Sequence, residues 1–288
     1  MLNPAAGPRP TRPDEVRAAL DAASVGYDLV APGSAEEAAA AIRAAAAEGR
    51  TRFATVGGDG TLNLAANTLL GLDLDEKPVL GALPAGTGCD LLRTFGFPRD
   101  LRLAARRLAT DDIYDIDAAT LEGGWGSRYF LNAAQAGVGA GAVSAAAKLP
   151  RRIGATRYPA AFLATLPRFP KAQVSVTTER GAYESEALAV IMANGQFFAG
   201  GWNVAPRATL VDGLIDLQVI NAAKTRAPAL VPKLVKGAHL RDPAVRRLTA
   251  SEFAIEATPV WPVEVDGDPV GSTPVSGRVV PAAIRLSI

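Results

Sequence analysis

Along this chain of 288 residues, apolar and polar positions fall into two regimes. In the first, short β-prone runs alternate with helix-forming stretches. Pro13 to Ala23 and Ala35 to Glu48 have helical composition, and Ser34 followed by Glu37 predicts a capping box at the second. Arg52 to Val56 is β-prone and ends in Gly57-Gly58, and Leu62 to Leu70 then reads as a helix. Pro78 to Leu83 is a second β-prone run, broken by Pro84 and Gly86 and followed by a helix through Leu91 to Thr94. Strand, glycine turn and helix in repetition predict parallel βαβ units in a doubly wound α/β sheet. Ligands of such sheets sit at the carboxyl ends of the strands, where these glycine turns fall.

The second regime is denser in β-prone runs: Tyr114 to Leu121, Arg128 to Ala133, Gln173 to Thr178, Ala187 to Met192, Gly213 to Ile220, Glu252 to Ala257 and Val260 to Val265. Gly123-Gly124 and Asp266-Gly267 punctuate them as turns. That spacing predicts an antiparallel, all-β sandwich or barrel. A boundary is expected near residues 110–118, giving an α/β domain over 1–115 and a β-rich domain over 116–288.

Composition narrows the partners. Thirty basic residues against 29 acidic ones leave a net charge of +1, so no phosphate-coating nucleic-acid binder is expected. One cysteine, Cys89, excludes an internal disulfide and a cysteine metal cluster, and fits a reducing cytoplasm. One histidine, His239, excludes a His-pair zinc site and leaves little room for a Ser-His-Asp triad. Met1-Leu2-Asn3-Pro4 has neither a basic segment nor an apolar run, so no secretory leader is expected. Tyr129 to Ala147 is free of charge, but Asn132, Gln135 and three glycines argue against a spanning helix. A cytoplasmic protein follows, with any membrane contact peripheral.

The chemistry concentrates in two loops. Val56-Gly57-Gly58-Asp59-Gly60-Thr61-Leu62-Asn63 places three glycines in four residues at the start of a helix, where backbone amides can approach a phosphate. A carboxylate at Asp59 repels phosphate, so it either helps hold Mg²⁺ or orders the loop. Leu83-Pro84-Ala85-Gly86-Thr87-Gly88-Cys89-Asp90-Leu91-Leu92-Arg93 is a second loop of similar build. Taken without further context, each is also compatible with a tight strand-to-helix turn.

The GGDGT loop, the PxGTxxD…R loop and an opening Asn3-Pro4-x-x-Gly7 together resemble the soluble bacterial diacylglycerol kinase family, which is related to sphingosine and ceramide kinases. Further blocks carry the likeness along the chain: Asn132 and Gly137; Asn194 with Gly200-Gly201, Ala205-Pro206-Arg207-Ala208 and Asp212-Gly213-Leu214; Gly237, His239 and Pro243; and Asp266-Gly267-Asp268-Pro269. The resemblance implies an N-terminal nucleotide-binding α/β domain and a β-sandwich-like C-terminal domain whose last residues pack back on the first. It implies an ATP- and Mg²⁺-dependent kinase acting on the hydroxyl of a lipid such as diacylglycerol.

By position, the resemblance makes Gly57, Gly58, Asp59, Gly60, Thr61, Asn63 and Thr87 nucleotide-binding. Arg93 becomes a catalytic cation suited to phosphate, and Asp90 and Asp117 become members of a cleft network. Asp212 is implied as a metal ligand, with the carbonyls of Thr209 and Leu214. Asp268 stands where the family carries its general base, one methylene shorter than the usual Glu. The chain also departs from the family at Cys89 (usually Asn), Leu64 (usually acidic), Val211 (usually Asp) and Gly139 (often Asp), and the usual first strand is missing.

Lys148, Arg151, Arg152, Arg157, Arg168 and Lys171 share a stretch free of acidic residues with Leu149, Ile153, Tyr158, Phe162, Leu166 and Phe169. Such a segment can sit on an anionic membrane surface or form an ordinary solvated basic face. A homodimer is compatible with the sequence. Two other readings stand beside the kinase: a nucleotide- or lipid-binding protein that has lost phosphotransfer, and an NAD kinase. The second is disfavoured because no Asn-Glu pair occurs in the chain.

Overall fold

The early helix-forming stretches become α1 (Pro13–Ala22) and α2 (Ala35–Ala47). Ser34 Oγ accepts the Glu37 N–H at 3.1 Å, but the Glu37 carboxylate reaches past Ser34 and takes the Gly33 N–H at 2.8 Å. Two donors are still satisfied, with the reciprocal bond displaced by one residue. The computed structural model describes residues 1–7, 9–86, 88–150 and 156–288. These form two units, Met1–Asp117 with Pro281–Ile288, and Ala118–Val280.

In the first unit, β1 (Arg52–Gly57), α3 (Asp59–Leu70) and β2 (Val79–Pro84) make a parallel βαβ crossover, with Arg52 opposite Val79 and Gly57 opposite Pro84. The unit's C-terminal segment adds Arg285–Ser287 to β2, again parallel. Leu2 forms a parallel bridge to Val56, so the opening residues do lie along β1, where the family comparison of sequence alone had no strand. After α4 (Asp90–Arg93) comes α5 (Leu101–Leu108), which composition did not announce. It is set by Asp100, whose carboxylate accepts the N–H groups of Arg102 and Leu103 at 3.0 Å each, and by Ala104 and Ala105, which are fully buried.

The chain leaves the first unit through β3 (Ile113–Gly123), which forms a hairpin with β4 (Gly126–Phe130). The second unit then holds β5 (Ala133–Gly137), α6 (Val138–Ala147), α7 (Arg157–Thr165), β6 (Ala172–Thr178), β7 (Gly181–Ala187), β8 (Ala189–Ala193), β9 (Ile215–Ile220) and α8 (Ala227–Val235). It continues through β10 (Val245–Ala250), β11 (Glu252–Thr258), β12 (Pro262–Val265) and β13 (Asp268–Ser272) to the start of β14 (Val275–Ser287). One sheet runs β10-β9-β8-β5-β12-β13 and is antiparallel throughout. A second antiparallel set pairs the start of β14 with β11, then β6, then β7. Inward side chains of both, among them Val176, Phe253, Met192 and Leu217, share one apolar core that Phe130 and Trp261 join. This is the sandwich logic of alternating inward positions.

The expected single strand over Arg128 to Ala133 is in fact two. The Asp266 carboxylate accepts the N–H groups of Leu131, Asn132 and Ala133 at 2.9–3.1 Å, drawing them out of any ladder. The uncharged stretch from Tyr129 to Ala147 contains the end of β4, β5 and the ten-residue α6. Among the described residues no helix is long and apolar enough to cross a membrane.

Candidate active site

Three of the N-terminal blocks meet in the first unit. The Ala85 and Gly86 N–H groups both donate to Gly57 O, at 2.8 and 3.0 Å, tying the second glycine loop to the first. A Cβ at Gly86 would collide with the Gly58 backbone, and one at Gly7 would collide with the Ala85 carbonyl. Only glycine lets these three segments pack this closely. Asn3 Nδ2 donates to Thr61 Oγ1 at 3.0 Å, joining the opening motif to the first turn of α3. Gly60 is exposed and has open space where a Cβ would be.

Asp59 is tied to the second glycine loop. Its Oδ1 accepts the Leu91 N–H at 3.3 Å, and the amides of Asp90 and Cys89 also bond the carboxylate. Burial raises its pKa, and these amide bonds oppose the rise. The carboxylate thus caps α4 and orders the loop. Asp90 is buried beside Arg93, with Arg93 Nε 3.8 Å from Asp90 Oδ1. Arg93 also reaches Gly88 O at 3.5 Å, and Arg99 donates to Gly86 O at 3.0 Å. Asn63 is buried in α3 and accepts from Asn67 at 3.1 Å. Asp117 is buried and accepts the Ala282 N–H at 2.8 Å, so it anchors the C-terminal segment of its own unit. Thr87 lies outside the described residues.

The remaining candidates belong to the second unit. Asp212 and Thr209 are exposed, and Asp212 Oδ1 accepts the Leu214 N–H at 3.1 Å, closing a turn. Among the described residues no three His, Cys, Asp or Glu side chains gather as a metal site. A cation at Asp212 would therefore rely on carbonyl oxygens and not on a carboxylate cluster. Asp268 is exposed and pairs with Arg128 Nη2 at 2.7 Å. His239 is fully buried with Nε2 2.8 Å from Gln218 Oε1, a structural position.

Residues 1–121 match the Diacylglycerol kinase catalytic domain, and residues 132–288 match the YegS C-terminal NAD kinase beta sandwich-like domain. The chain belongs to the diacylglycerol kinase-like lipid kinase family. Among the relatives of this lipid kinase, Lipid kinase YegS of Escherichia coli (strain K12) is 28% identical over 233 residues, covering 81% of this chain and 76% of that protein. Probable lipid kinase YegS of Shigella boydii serotype 18 is 27% identical over the same coverage. A crystal structure of a diacylglycerol kinase from Bacillus anthracis str. Sterne superposes with a TM-score of 0.76 at 20% identity, covering 99% of this chain and 94% of that one. That likeness concerns the fold.

Sequence reasoning passed over one group in this lipid kinase. Glu264, on β12, is buried opposite Gln135 on β5. Its pKa is pushed up to about 8, first by burial and then by the neighbouring charges of Asp266 and Asp268, against hydrogen bonds from Gln135 and the Gly267 N–H. Gln135 also bonds Tyr158, whose phenol is pushed up by burial and by Glu264. The available signal was an acid in the middle of the apolar run Val263–Val265. A Cβ at Gly139, where the family often has Asp, would displace the Gln135 side-chain amide from its present position.

Three apolar members of the basic segment turn inward. Leu166 and Phe169 are buried in the core, with Phe162 packed against it. Arg157 donates to Ala146 O at 2.6 Å, and Lys171 pairs with Glu186 at 2.8 Å. Arg151, Arg152 and Ile153 lie outside the described residues.

Proposed function

We propose that the protein transfers the γ-phosphoryl group of Mg-ATP to a hydroxyl of a membrane lipid such as diacylglycerol. The observation that carries this reading is the meeting of the Asn3-Pro4, GGDGT and Pro84–Arg93 segments at the N-terminus of α3. The positive end of a twelve-residue helix and the open space over Gly60 in its first turn favour a phosphate there. Gly57, Gly58, Gly60 and Thr61 would line the phosphates, with Asn63 supporting the helix from within. Thr87, by its place in the second loop, would lie beside the nucleotide. Arg93, steered by Asp90, would offer its planar fork to the anionic group.

Bound Mg²⁺ would neutralise charge on the phosphates, and Asp212 is the carboxylate suited to it. In the reaction the lipid oxygen forms a bond to the γ-phosphorus while the bond to the bridging oxygen breaks. ADP departs, and the hydroxyl proton passes to a carboxylate, for which Asp268 is the proposed acceptor. Its ion pair with Arg128 engages Oδ2, which leaves Oδ1 to take that proton while the guanidinium draws charge from the carboxylate. The same ion pair favours the second reading, a protein that binds nucleotide or lipid without transfer.

The test is transfer of labelled phosphate from ATP to lipids in mixed micelles with Mg²⁺, using wild type and Asp268→Ala. Lipid-dependent product that is lost in the variant supports the kinase and the base together. ATP binding without product on diacylglycerol, sphingoid or phosphatidylglycerol acceptors sinks the transfer reading and leaves the binding protein. An Asp268→Ala variant of undiminished rate removes Asp268 from the chemistry.

A further inference from the structure

The turn that carries Asp268 is held from behind by a side chain that the proposed mechanism does not use. Glu264 on β12 is 3% exposed. Its chain neighbours Val263 and Val265 face the apolar core, so the alternation of the strand sends Glu264 to the opposite face. There it meets Gln135 on β5, which also bonds Tyr158 on α7. From that position Glu264 Oε2 accepts the Gly267 N–H at 2.6 Å.

Gly267 lies between two other carboxylates with fixed partners. The Asp266 oxygens take the N–H groups of Leu131, Asn132 and Ala133, and Asp268 Oδ2 pairs with Arg128. Asp266 and Gly267 both have left-handed backbone, with φ of 46° and 90°. The β12-β13 ladder then steps over Val270, passing from Glu264–Pro269 to Val263–Gly271. A bulge of this kind re-aims the side chains beside it. Gly267 itself is exposed, so its N–H is open to water and needs no buried acid to satisfy it. Burying an acid costs stability, and local rules are broken in this way at functional sites.

We propose that Glu264 is a positioning residue for phosphoryl transfer, its hydrogen bond to Gly267 fixing the turn that presents Asp268 to the lipid hydroxyl. The inference rests on the reading of Asp268 as the proton acceptor. Aspartate reaches one methylene less far than the glutamate usual at that place. Its carboxylate therefore has less side-chain freedom with which to correct a misplaced backbone. A shift of about 1 Å at a reacting group can cost on the order of a hundredfold in rate. Asp266 holds the start of the turn and Arg128 the end of the Asp268 side chain, while Glu264 fixes the peptide between them.

Glu264→Met fills nearly the same space without an oxygen, and Glu264→Gln keeps one for the Gly267 N–H. Both are made in the full-length protein, alone and combined with Asp268→Ala. Phosphate transfer from ATP to diacylglycerol is then measured in mixed micelles with Mg²⁺. Glu264→Met should lower kcat about tenfold, while the KM for ATP stays unchanged. Glu264→Gln should keep kcat within about twofold of wild type. Added to Asp268→Ala, Glu264→Met should cause no further loss, because its effect runs through Asp268.

Full kcat in Glu264→Met, with Asp268→Ala impaired, overturns the role of Glu264 and leaves Asp268 as the base. Equal losses in Glu264→Met and Glu264→Gln overturn it too, since the oxygen that accepts from Gly267 would not be what matters. So does a further loss in the double variant, or a KM for ATP that rises as kcat falls, either of which marks a general structural defect. Undiminished transfer by Asp268→Ala, or none by wild type to any lipid, overturns the reading of Asp268 and the role of Glu264 with it.

Discussion

Cys89 holds a left-handed backbone, φ 52°, at the residue before α4. Asn tolerates that conformation better than most residues, and β-branched side chains tolerate it poorly. Cys89→Asn, the family's usual residue, should therefore match or raise the melting temperature. Cys89→Val should lower stability by about 1–2 kcal/mol, read by chemical denaturation. Glu264 gives a prediction of opposite character. Its folded pKa of about 8 lies above the ordinary value of 4.5, so the unfolded chain releases its proton first as pH rises. The stability tied to this group is greatest below pH 4.5, falls between there and about pH 8, and then levels. At pH 7 the loss is about 3 kcal/mol. Glu264→Gln should remove that slope and raise the melting temperature at pH 7 more than at pH 5, by calorimetry. A variant that melts lower at pH 7 would show that the carboxyl is not stored neutral.

Elements were legible in the sequence wherever local chemistry set them. β1, α3, β2 and α4 follow from two β-prone runs and their glycine turns, and α2 from its Ser34 cap. Elements set by tertiary contact were not. α6 has glycines at 139 and 141, and forms because Val138, Gly139, Ala140 and Ala142 are buried as small residues against their neighbours. The break between β4 and β5 depends on Asp266, more than 130 residues away in sequence. At the site, the loop glycines were legible, but Asp59 as a cap and Glu264 as a buried acid required the fold. Asp266→Ala would strip three partly buried N–H groups of their acceptor. It should cost about 3 kcal/mol or more, while Asp266→Asn keeps one side-chain oxygen and should cost less. Equal melting temperatures for the two would show that the carboxylate does not hold this break.

At the scale of the molecule, the first unit is assembled from two ends of the chain. Residues 281–288 supply a strand to β2, and Lys77 Nζ donates to Ala282 O at 2.7 Å while Asp117 takes the Ala282 N–H. Ile284 and Leu286 are fully buried there. Truncation after Val280 should lower the thermal stability of the first unit by several kcal/mol, since two large side chains and a strand are lost. Limited proteolysis should then cut within residues 1–117 before it cuts within 118–280. The reverse order would mean that the C-terminal strand is dispensable.

That closing strand also sets a timetable for synthesis. Residues 1–117 leave the ribosome first, yet the parallel sheet they begin cannot be completed until every residue of the second unit has been made. At translation rates of about 5–20 residues per second, the bare edge of β2 waits roughly 10–30 s for its partner. An unpaired strand edge invites pairing with another chain. During that interval the nascent protein is a candidate client for chaperones, and slowing its translation should increase aggregation, not relieve it.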